Sequence, residues 1–191
     1  MRGKQAKILS DNNVEDLLLF AETSRHPLRN KVIVLLSAKS GLRAGEIAHL
    51  NWAMVTDPTG AIGTGLELPD AAAKKGSGRT IPLHEDLRAA LAAWRVATNS
   101  AGPVIVSERG GRMRPQSIVV WFANAYRVIG LNGCSSHSGR RTFITRAARL
   151  VHRAGGSLRD VQLLAGHRSI HTTERYIDGD TDAQRKLVAL I

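Results

Sequence analysis

Cysteine, aromatic residues and long apolar runs are all scarce in this chain, and each shortage argues against a class of protein. The single cysteine, Cys134, rules out a disulfide framework within the chain and suits a reducing compartment. An aromatic fraction of 4% leaves little for the stacking platforms that bind single-stranded nucleic acids. Apolar runs such as the one from Val32 to Leu36 are far too short to cross a bilayer, and we expect no secretory signal.

Sequence motifs for nucleotides and metal ions are also missing. The chain has no glycine-rich phosphate loop ending in Lys-Ser or Lys-Thr, no His-Glu-x-x-His pair and no Cys-x-x-Cys pair. Its carboxylates are scattered rather than clustered. We therefore expect neither a cofactor nor a metal, so charge that develops on a phosphate substrate has to be met by arginine, lysine and histidine.

What the chain has in excess is positive charge. Its 27 lysines and arginines against 16 acidic residues give a net charge of +11. Nucleic acid is the first partner to consider, because phosphate contacts supply most non-specific affinity. The alternative is a generally basic protein, such as a ribosome-associated or heparin-binding one. With 191 residues, 43% of them hydrophobic, the chain is long and apolar enough for one well-buried domain.

Hydrophobic periodicity predicts a mainly α-helical (α+β) domain with a small antiparallel β-sheet near residues 54–83. Residues 1–9 are expected to form a loose basic arm, and residues 10–191 the domain. Ser10 or Asp11 is a suitable cap for the first helix, and Pro27 opens the second. Further patterns predict β-like runs over 61–68 and 79–83, a basic loop over 108–115, and helices over 43–50, 85–97, 116–129, 138–153, 158–165, 170–177 and 182–190.

The densest functional signal lies between His137 and Tyr176. His137 and Arg140 have the spacing of one helix face, where an imidazole can share a proton and a guanidinium can grip two phosphate oxygens. Gly166 allows a turn that presents His167 at a helix junction, and Tyr176 follows nine residues later. A lone His-x-x-Arg is usually a solvated basic surface, so the interpretation depends on the whole arrangement.

The arrangement resembles the tyrosine recombinase, or phage integrase, family over nearly the whole chain. Leu-x-Gly-His followed by Thr-x-x-Tyr is similar to the nucleophile segment of that family, and His-x-x-Arg-x-Thr-Phe to its second conserved box. The family's first arginine box, Thr/Ser-Gly-Leu-Arg-x-x-Glu, matches residues 40–46. Its hairpin lysine falls on Lys74, with Lys75 as the close alternative. The family's catalytic elements therefore occur in order: Arg43, Lys74, His137, Arg140, His167 and Tyr176.

This resemblance implies a DNA strand-transfer reaction that needs no metal and no ATP. Tyr176 would attack the phosphorus, giving a 3′-phosphotyrosyl link and a free 5′-hydroxyl. Its phenol has a pKa of about 10, so it needs surrounding cations or a base. Arg43 and Arg140 would neutralise the transition state, where one such donor commonly contributes about 3 kcal/mol. His137 is expected to accept the proton.

The remaining roles also follow from the resemblance. Lys74 is expected to protonate the leaving 5′-oxygen, and His167 to donate a hydrogen bond to the phosphate. Glu46 is expected to support Arg43. Further contacts to DNA are expected from Lys75, Arg79 and Arg141. Two mild departures from the family pattern lie outside the charged set: Ser138-Gly139 in place of Asp-Leu, and Ile47 in place of a common Leu.

The resemblance implies double-stranded DNA as the partner and a homotetramer assembled on it. The apolar run of residues 187–191, from Leu187 to Ile191, is either a docking segment for a neighbouring protomer or a helix packed on its own core. A cytoplasmic, nucleoid-associated protein of bacterial or phage origin is expected. Family members usually carry a further core-binding domain, which this chain is expected to lack, either as a fragment or as a minimal recombinase.

Three alternatives stay open from the sequence. A type IB topoisomerase shares this catalytic set, although the short spacing from Leu-x-Gly-His to tyrosine favours a recombinase. A non-catalytic DNA-binding derivative is opposed by the presence of all six catalytic residues. An RNA-binding protein has only the net charge in its favour.

Overall fold

The computed structural model describes residues 6–73, 76–98, 101–177, 188, 189 and 191. Within them the chain is mostly helical, with one two-stranded sheet, as expected. Two short 3-10 helices, Trp52–Met54 and Val151–Ala154, complete the regular structure. The helices and strands are α1 Asp11–Glu22, α2 Pro27–Lys39, α3 Ala44–His49, β1 Gly65–Leu68, β2 Arg79–Pro82, α4 Glu85–Thr98, α5 Pro115–Val128, α6 Ser138–Leu150, α7 Leu158–Ala165 and α8 Ile170–Glu174.

The helix ends have local chemical causes. The Ser10 hydroxyl accepts from the Asn13 backbone N–H at 3.1 Å, and the Asn13 side chain accepts from the Ser10 backbone N–H at 3.2 Å. These two reciprocal hydrogen bonds form a capping box at the start of α1. Proline at the start of α2 costs no hydrogen bond, because the first N–H groups of a helix have no partner inside it. Beyond α2, Gly41 has a φ of +63°, a left-handed conformation that lets the chain turn into α3.

The β-hairpin lies inside the expected interval but is shorter than expected. β1 and β2 pair antiparallel, with Leu66 opposite Ile81. The buried side chains of these strands alternate with exposed ones such as Glu67, so one face covers the core. Residues 61–64 form no strand; only an isolated bridge joins Thr56 to Ile62.

Helix α2 is the centre of the fold. Its residues Val32–Leu36 are at most 1% exposed, because α1, α4 and α6 cover it on different sides. A smaller apolar cluster lies under α6 and α7 and contains Ile144, Ala148, Val161 and Ala165.

The expectation of a loose arm is wrong at its C-terminal end. Leu9 is 2% exposed, its N–H donates to Thr142 Oγ1 at 2.8 Å, and its carbonyl accepts from Arg146 Nη2 at 3.2 Å. The segment leading into α1 is therefore fastened to α6. The burial of one leucine and two specific hydrogen bonds outweigh the polar composition of its neighbours.

Some expectations fall on residues that the structure does not describe. Lys74 and Lys75 are among them, as is most of the expected terminal helix over 182–190. Among the described residues, no helix is both long and apolar enough to span a membrane.

Candidate active site

Arg140 lies at the centre of the candidate site and is 3% exposed. Its Nη1 donates to the Gly41 carbonyl at 2.6 Å, and its Nη2 donates to the Ala165 carbonyl at 2.7 Å. One guanidinium thus ties the turn after α2 to the end of α7. Burial, and then the charge of Arg43, lowers the pKa of Arg140 to about 10, which leaves it protonated at neutral pH.

His167 holds the same guanidinium from another side. Its Nε2 lies 3.1 Å from Arg140 Nη2, and its Nδ1 lies 3.0 Å from Thr173 Oγ1. Burial, followed by the positive charges of Arg140 and Arg43, lowers the pKa of His167 to about 4. Both ring nitrogens are therefore engaged by protein atoms and the ring is neutral. This geometry differs from the expected direct hydrogen bond to phosphate.

The turn that presents His167 depends on Gly166. Its φ is +61°, and a Cβ built there would lie 2.7 Å from Arg79 Nη1. Gln162 closes the turn: its backbone carbonyl accepts from the His167 N–H at 3.1 Å, and its side-chain amide donates to the His167 carbonyl at 2.8 Å. Glycine is thus required here both by conformation and by space.

Glu46 forms an ion pair with Arg43. Its side chain is 1% exposed, its Oε1 lies 2.7 Å from Arg43 Nη1, and its Oε2 accepts from the Arg43 backbone N–H at 2.9 Å. Burial alone would raise the pKa of Glu46, but the hydrogen bonds and charges of Arg79 and Arg43 lower it to about 2. The carboxylate is ionised and fixes the direction of the Arg43 side chain.

Arg79 occupies a different place from the DNA surface expected for it. Its side chain is 5% exposed. Its two terminal nitrogens contact both Glu46 oxygens at 3.2 and 3.1 Å, and its Nε donates to the Leu164 carbonyl at 2.9 Å. A guanidinium engaged in this way has little left for DNA. The residues next to Arg79 in the sequence suggested only a basic hairpin, so its buried position beneath the site is evident only from the fold.

Tyr176 follows α8 and packs on the small apolar cluster. Its ring stacks on His167, with 5.5 Å between the ring centroids and 26° between the planes. The half-buried ring therefore has one face on the imidazole that holds Arg140.

Five of the six expected catalytic residues border one open cavity of about 320 Å³. The sixth, Lys74, lies outside the described residues. His137 is exposed at the start of α6, and Arg141 is half-buried beside Arg140. The sequence did not single out Arg175, although its position next to Tyr176 was a signal. The lining consists of Ala6, Arg43, His137, Arg140, Arg141, His167, Thr172, Arg175 and Tyr176.

The cavity suits an anion. Its described lining contains four arginines and no carboxylate, and the carboxylate of Glu46, which binds Arg43, also binds Arg79. Within the described part of the chain, no cluster of three or more His, Cys, Asp or Glu residues could hold a metal ion. Among those residues, guanidinium groups are the source of charge stabilisation at a bound phosphate.

Comparison with known proteins finds relatives of this chain. The sequence model of the phage integrase family matches residues 7–182. Tyrosine recombinase XerC of Rhodospirillum centenum is 30% identical over 160 residues, which cover 81% of this chain and 44% of the relative. XerC of Erythrobacter litoralis is 30% identical over 198 residues, which cover all of this chain and 60% of the relative. The chain thus spans about half the length of these relatives.

Solved structures share the fold. XerA recombinase superposes over all of this chain and 65% of its own, with a TM-score of 0.74 and 22% identity. XerH recombinase bound to a palindromic difH substrate superposes over 99% of this chain and 54% of its own, with a TM-score of 0.77 and 17% identity. At such identities the likeness concerns the fold alone.

Proposed function

Because the chain belongs to the phage integrase family, we propose that it is the catalytic part of a site-specific recombinase that cleaves and rejoins double-stranded DNA through Tyr176. One observation carries this proposal: Tyr176 borders the same cavity as Arg43 and Arg140, and the two guanidiniums are held in place before any ligand arrives. Donors that need no reorganisation are the most effective stabilisers of a transition state.

The reaction begins with attack of the Tyr176 oxygen on phosphorus. A bond to the 3′-phosphate forms, the bond to the 5′-oxygen breaks, and His137 accepts the phenolic proton. The leaving 5′-oxygen takes a proton from Lys74 or from its close alternative in the sequence, Lys75. The phosphotyrosyl link keeps the energy of the phosphodiester, so a second 5′-hydroxyl can reverse the step without ATP.

Arg140 meets the developing charge with donors that the protein leaves unused. Its Nη2 is engaged by Ala165 and His167, and its Nη1 by Gly41, while no described residue engages its Nε. The Nε–H and the second Nη1–H have no described acceptor, so each can donate one hydrogen bond to a phosphate oxygen. His167 acts through Arg140 as a positioning residue.

A homotetramer on DNA, with residues 187–191 as the docking segment, is part of the proposal, as is a nucleoid-associated location in the cytoplasm. The XerH recombinase structure, solved with a palindromic difH substrate, supports the proposal of DNA as the partner. We propose that Arg141 and Lys75 contact DNA near the reactive phosphate. Arg79 instead supports Glu46.

The test is an SDS-resistant protein–DNA adduct, formed with labelled duplexes from the DNA that flanks the gene and with supercoiled plasmid. The chain has two tyrosines, which provides a matched control. Tyr176→Phe should abolish the adduct. Tyr126→Phe should keep it, because the Tyr126 ring is 2% exposed in the core and its hydroxyl has no partner among the described residues.

Loss of the adduct in both variants, or retention in both, would contradict the assignment of Tyr176. Relaxation of plasmids of any sequence would instead favour a type IB topoisomerase. Salt-sensitive binding without an adduct would favour a non-catalytic DNA-binding protein.

A further inference from the structure

A second basic cavity, of about 560 Å³, lies between the start of α2 and the loop that precedes α5. It shares no lining residue with the candidate active site. Four arginines contribute to its lining: Arg29, Arg109, Arg112 and Arg114. The reaction described above uses none of them.

The loop over residues 107–114 has a defined shape. Val106 pairs with Arg112 in an isolated antiparallel bridge, and the Met113 N–H donates to the Ile105 carbonyl at 2.9 Å. Gly110 and Gly111 both have positive φ values, +78° and +67°, which close the turn. The arginines therefore project from a hydrogen-bonded loop, which lowers the entropy lost when they grip a ligand.

Arg29 forms the buried wall of this cavity and is 6% exposed. Its Nε donates to Asn30 Oδ1 at 3.2 Å and its Nη1 to the Val106 carbonyl at 3.1 Å, while no described residue engages its Nη2. Burial lowers the pKa of Arg29, and the charge of Glu108 offsets this only in part. Buried charges are normally paired, and Arg29 forms no ion pair within 4 Å with a described carboxylate, so its Nη2 can bind a further anion.

The carboxylate at the rim is already occupied. Glu108 accepts from Arg25 Nη1 at 2.8 Å and lies 3.0 Å from His26 Nε2. Across the cavity, the exposed side chains of Arg109 and Arg114 form no hydrogen bond or ion pair with any described residue. The cavity therefore has more guanidinium donors than acceptors, which indicates that its ligand is an anion.

The position of the cavity relates it to the reactive phosphate. Pro115 and Gln116, at the start of α5, border a cleft together with Arg43 and His137 of the active site. Arg114 and Ser117, from the same turn, border the basic cavity. The two anion sites thus flank the first turn of α5, and a polymer with regularly spaced phosphates can reach both.

We infer that this cavity is a second phosphate-binding subsite, which holds a backbone phosphate of the duplex beside the cleavage point. The inference rests on the proposed function, because it takes double-stranded DNA as the ligand. Arg29 supplies a fixed buried donor, and the arginines of the loop close on the phosphate from the solvent side.

The first experiment measures the salt dependence of binding to a labelled duplex. The test variant is Arg109→Gln with Arg114→Gln, whose side chains support no described contact. The control is Arg88→Gln with Arg149→Gln, two exposed arginines on α4 and α6 whose replacement removes the same two charges. Each lost phosphate contact should reduce the magnitude of the slope of log Kobs against log[salt] by about 0.9. A slope equal to that of this control variant would overturn the inference.

The second experiment replaces single phosphates of the duplex by neutral methylphosphonates. In the wild type, the replacement should weaken binding at one phosphate other than the one that is cleaved. The double variant should bind equally well with and without the replacement at that phosphate. If inorganic phosphate raises the melting temperature through these arginines while the DNA slopes stay equal, the cavity binds a free anion and the DNA assignment is wrong.

The Tyr176 adduct separates the two possible failures. The double variant should still form the adduct at saturating protein, because its arginines do not border the reactive cavity. An adduct with unchanged salt slopes would overturn this inference alone. Absence of both the adduct and salt-sensitive binding in the wild type would overturn the proposed function itself.

Discussion

The Nη2 of Arg140 and the Nε2 of His167 lie 3.1 Å apart inside the protein. A guanidinium only donates, so His167 Nε2 has to accept, and its single proton lies on Nδ1 and is donated to Thr173 Oγ1. Protonation of the ring would direct an N–H at a guanidinium. The neutral imidazole is therefore part of the structure that fixes the Arg140 side chain.

This relationship predicts a pH dependence of stability. The pKa of His167 is lowered to about 4 in the folded protein, against about 6.5 in an unfolded chain. The unfolded state binds more protons between these values, so the contribution of His167 is present above pH 6.5 and is lost as the pH falls towards 4. In His167→Gln, the unfolding free energy should rise less steeply with pH over this window. The slope should fall by up to about the amount that corresponds to one proton.

Chemical denaturation at several pH values measures this effect, with His152→Gln as the control. His152 is an exposed histidine in the 3-10 helix after α6. Equal slopes for wild type and His167→Gln would mean that the ring is not held neutral.

A second prediction concerns the carboxylate beneath the site. Glu46→Gln leaves the buried Arg79 without its ion pair, and breaking a buried pair typically costs about 3–5 kcal/mol. Arg43 also loses the oxygen that fixes its direction, so the rate of Tyr176 adduct formation should fall as well. Denaturant titration and a time course of the adduct measure the two losses, and the exposed Glu67→Gln should change neither.

The set of residues around the cavity was predictable from the sequence because most of it consists of short local motifs. Residues 137–143 and 163–177 fix the spacing along helices and turns, so the sequence alone was enough to place His137, Arg140, His167 and Tyr176. Their meeting with Arg43 followed from the resemblance. The hydrogen bond from Arg140 to the Gly41 carbonyl, 99 residues away along the chain, had no local signal.

The supporting residues were not predictable, because their contacts are made by residues distant in the sequence and no local motif marks them. Arg79 and Leu9 each lie in a basic stretch, and composition there suggests a solvated surface or a loose arm. Their burial depends on Glu46 and Thr142, which reach them only through the tertiary fold. In a sequence, a side chain committed to a distant partner cannot be distinguished from a free one.

The third prediction separates the two requirements at Gly166. Gly166→Ala should be strained by its φ of +61° and should also push Arg79 from Glu46. Gly155 provides a matched control, since its φ is +72° and nothing lies within 4 Å of an added Cβ. Gly155→Ala should therefore cost only the left-handed strain, about 1–2 kcal/mol, and leave adduct formation unchanged. Equal losses of stability in the two variants would show that the contact with Arg79 has no energetic weight.

The last prediction explains a departure from the family pattern. Gly139 stands where the family often has leucine, and a Cβ there would collide with the Ser37 hydroxyl at the contact of α6 with α2. That hydroxyl is buried and has no partner among the described residues. Gly139→Ala should therefore destabilise the protein by about 1–3 kcal/mol through overpacking, despite alanine's better helix propensity.

Ser37→Ala removes the atom that collides, so the two substitutions should be coupled. Alone, Ser37→Ala should be close to neutral, because it removes an unpaired buried hydroxyl. In the Gly139→Ala background it should restore part of the lost stability. Additive effects in this double-mutant cycle, measured by denaturant unfolding, would mean that the Ser37 hydroxyl is not the source of the lost stability. Coupling would establish that Ser37 and Gly139 are a matched pair at the contact of α6 with α2.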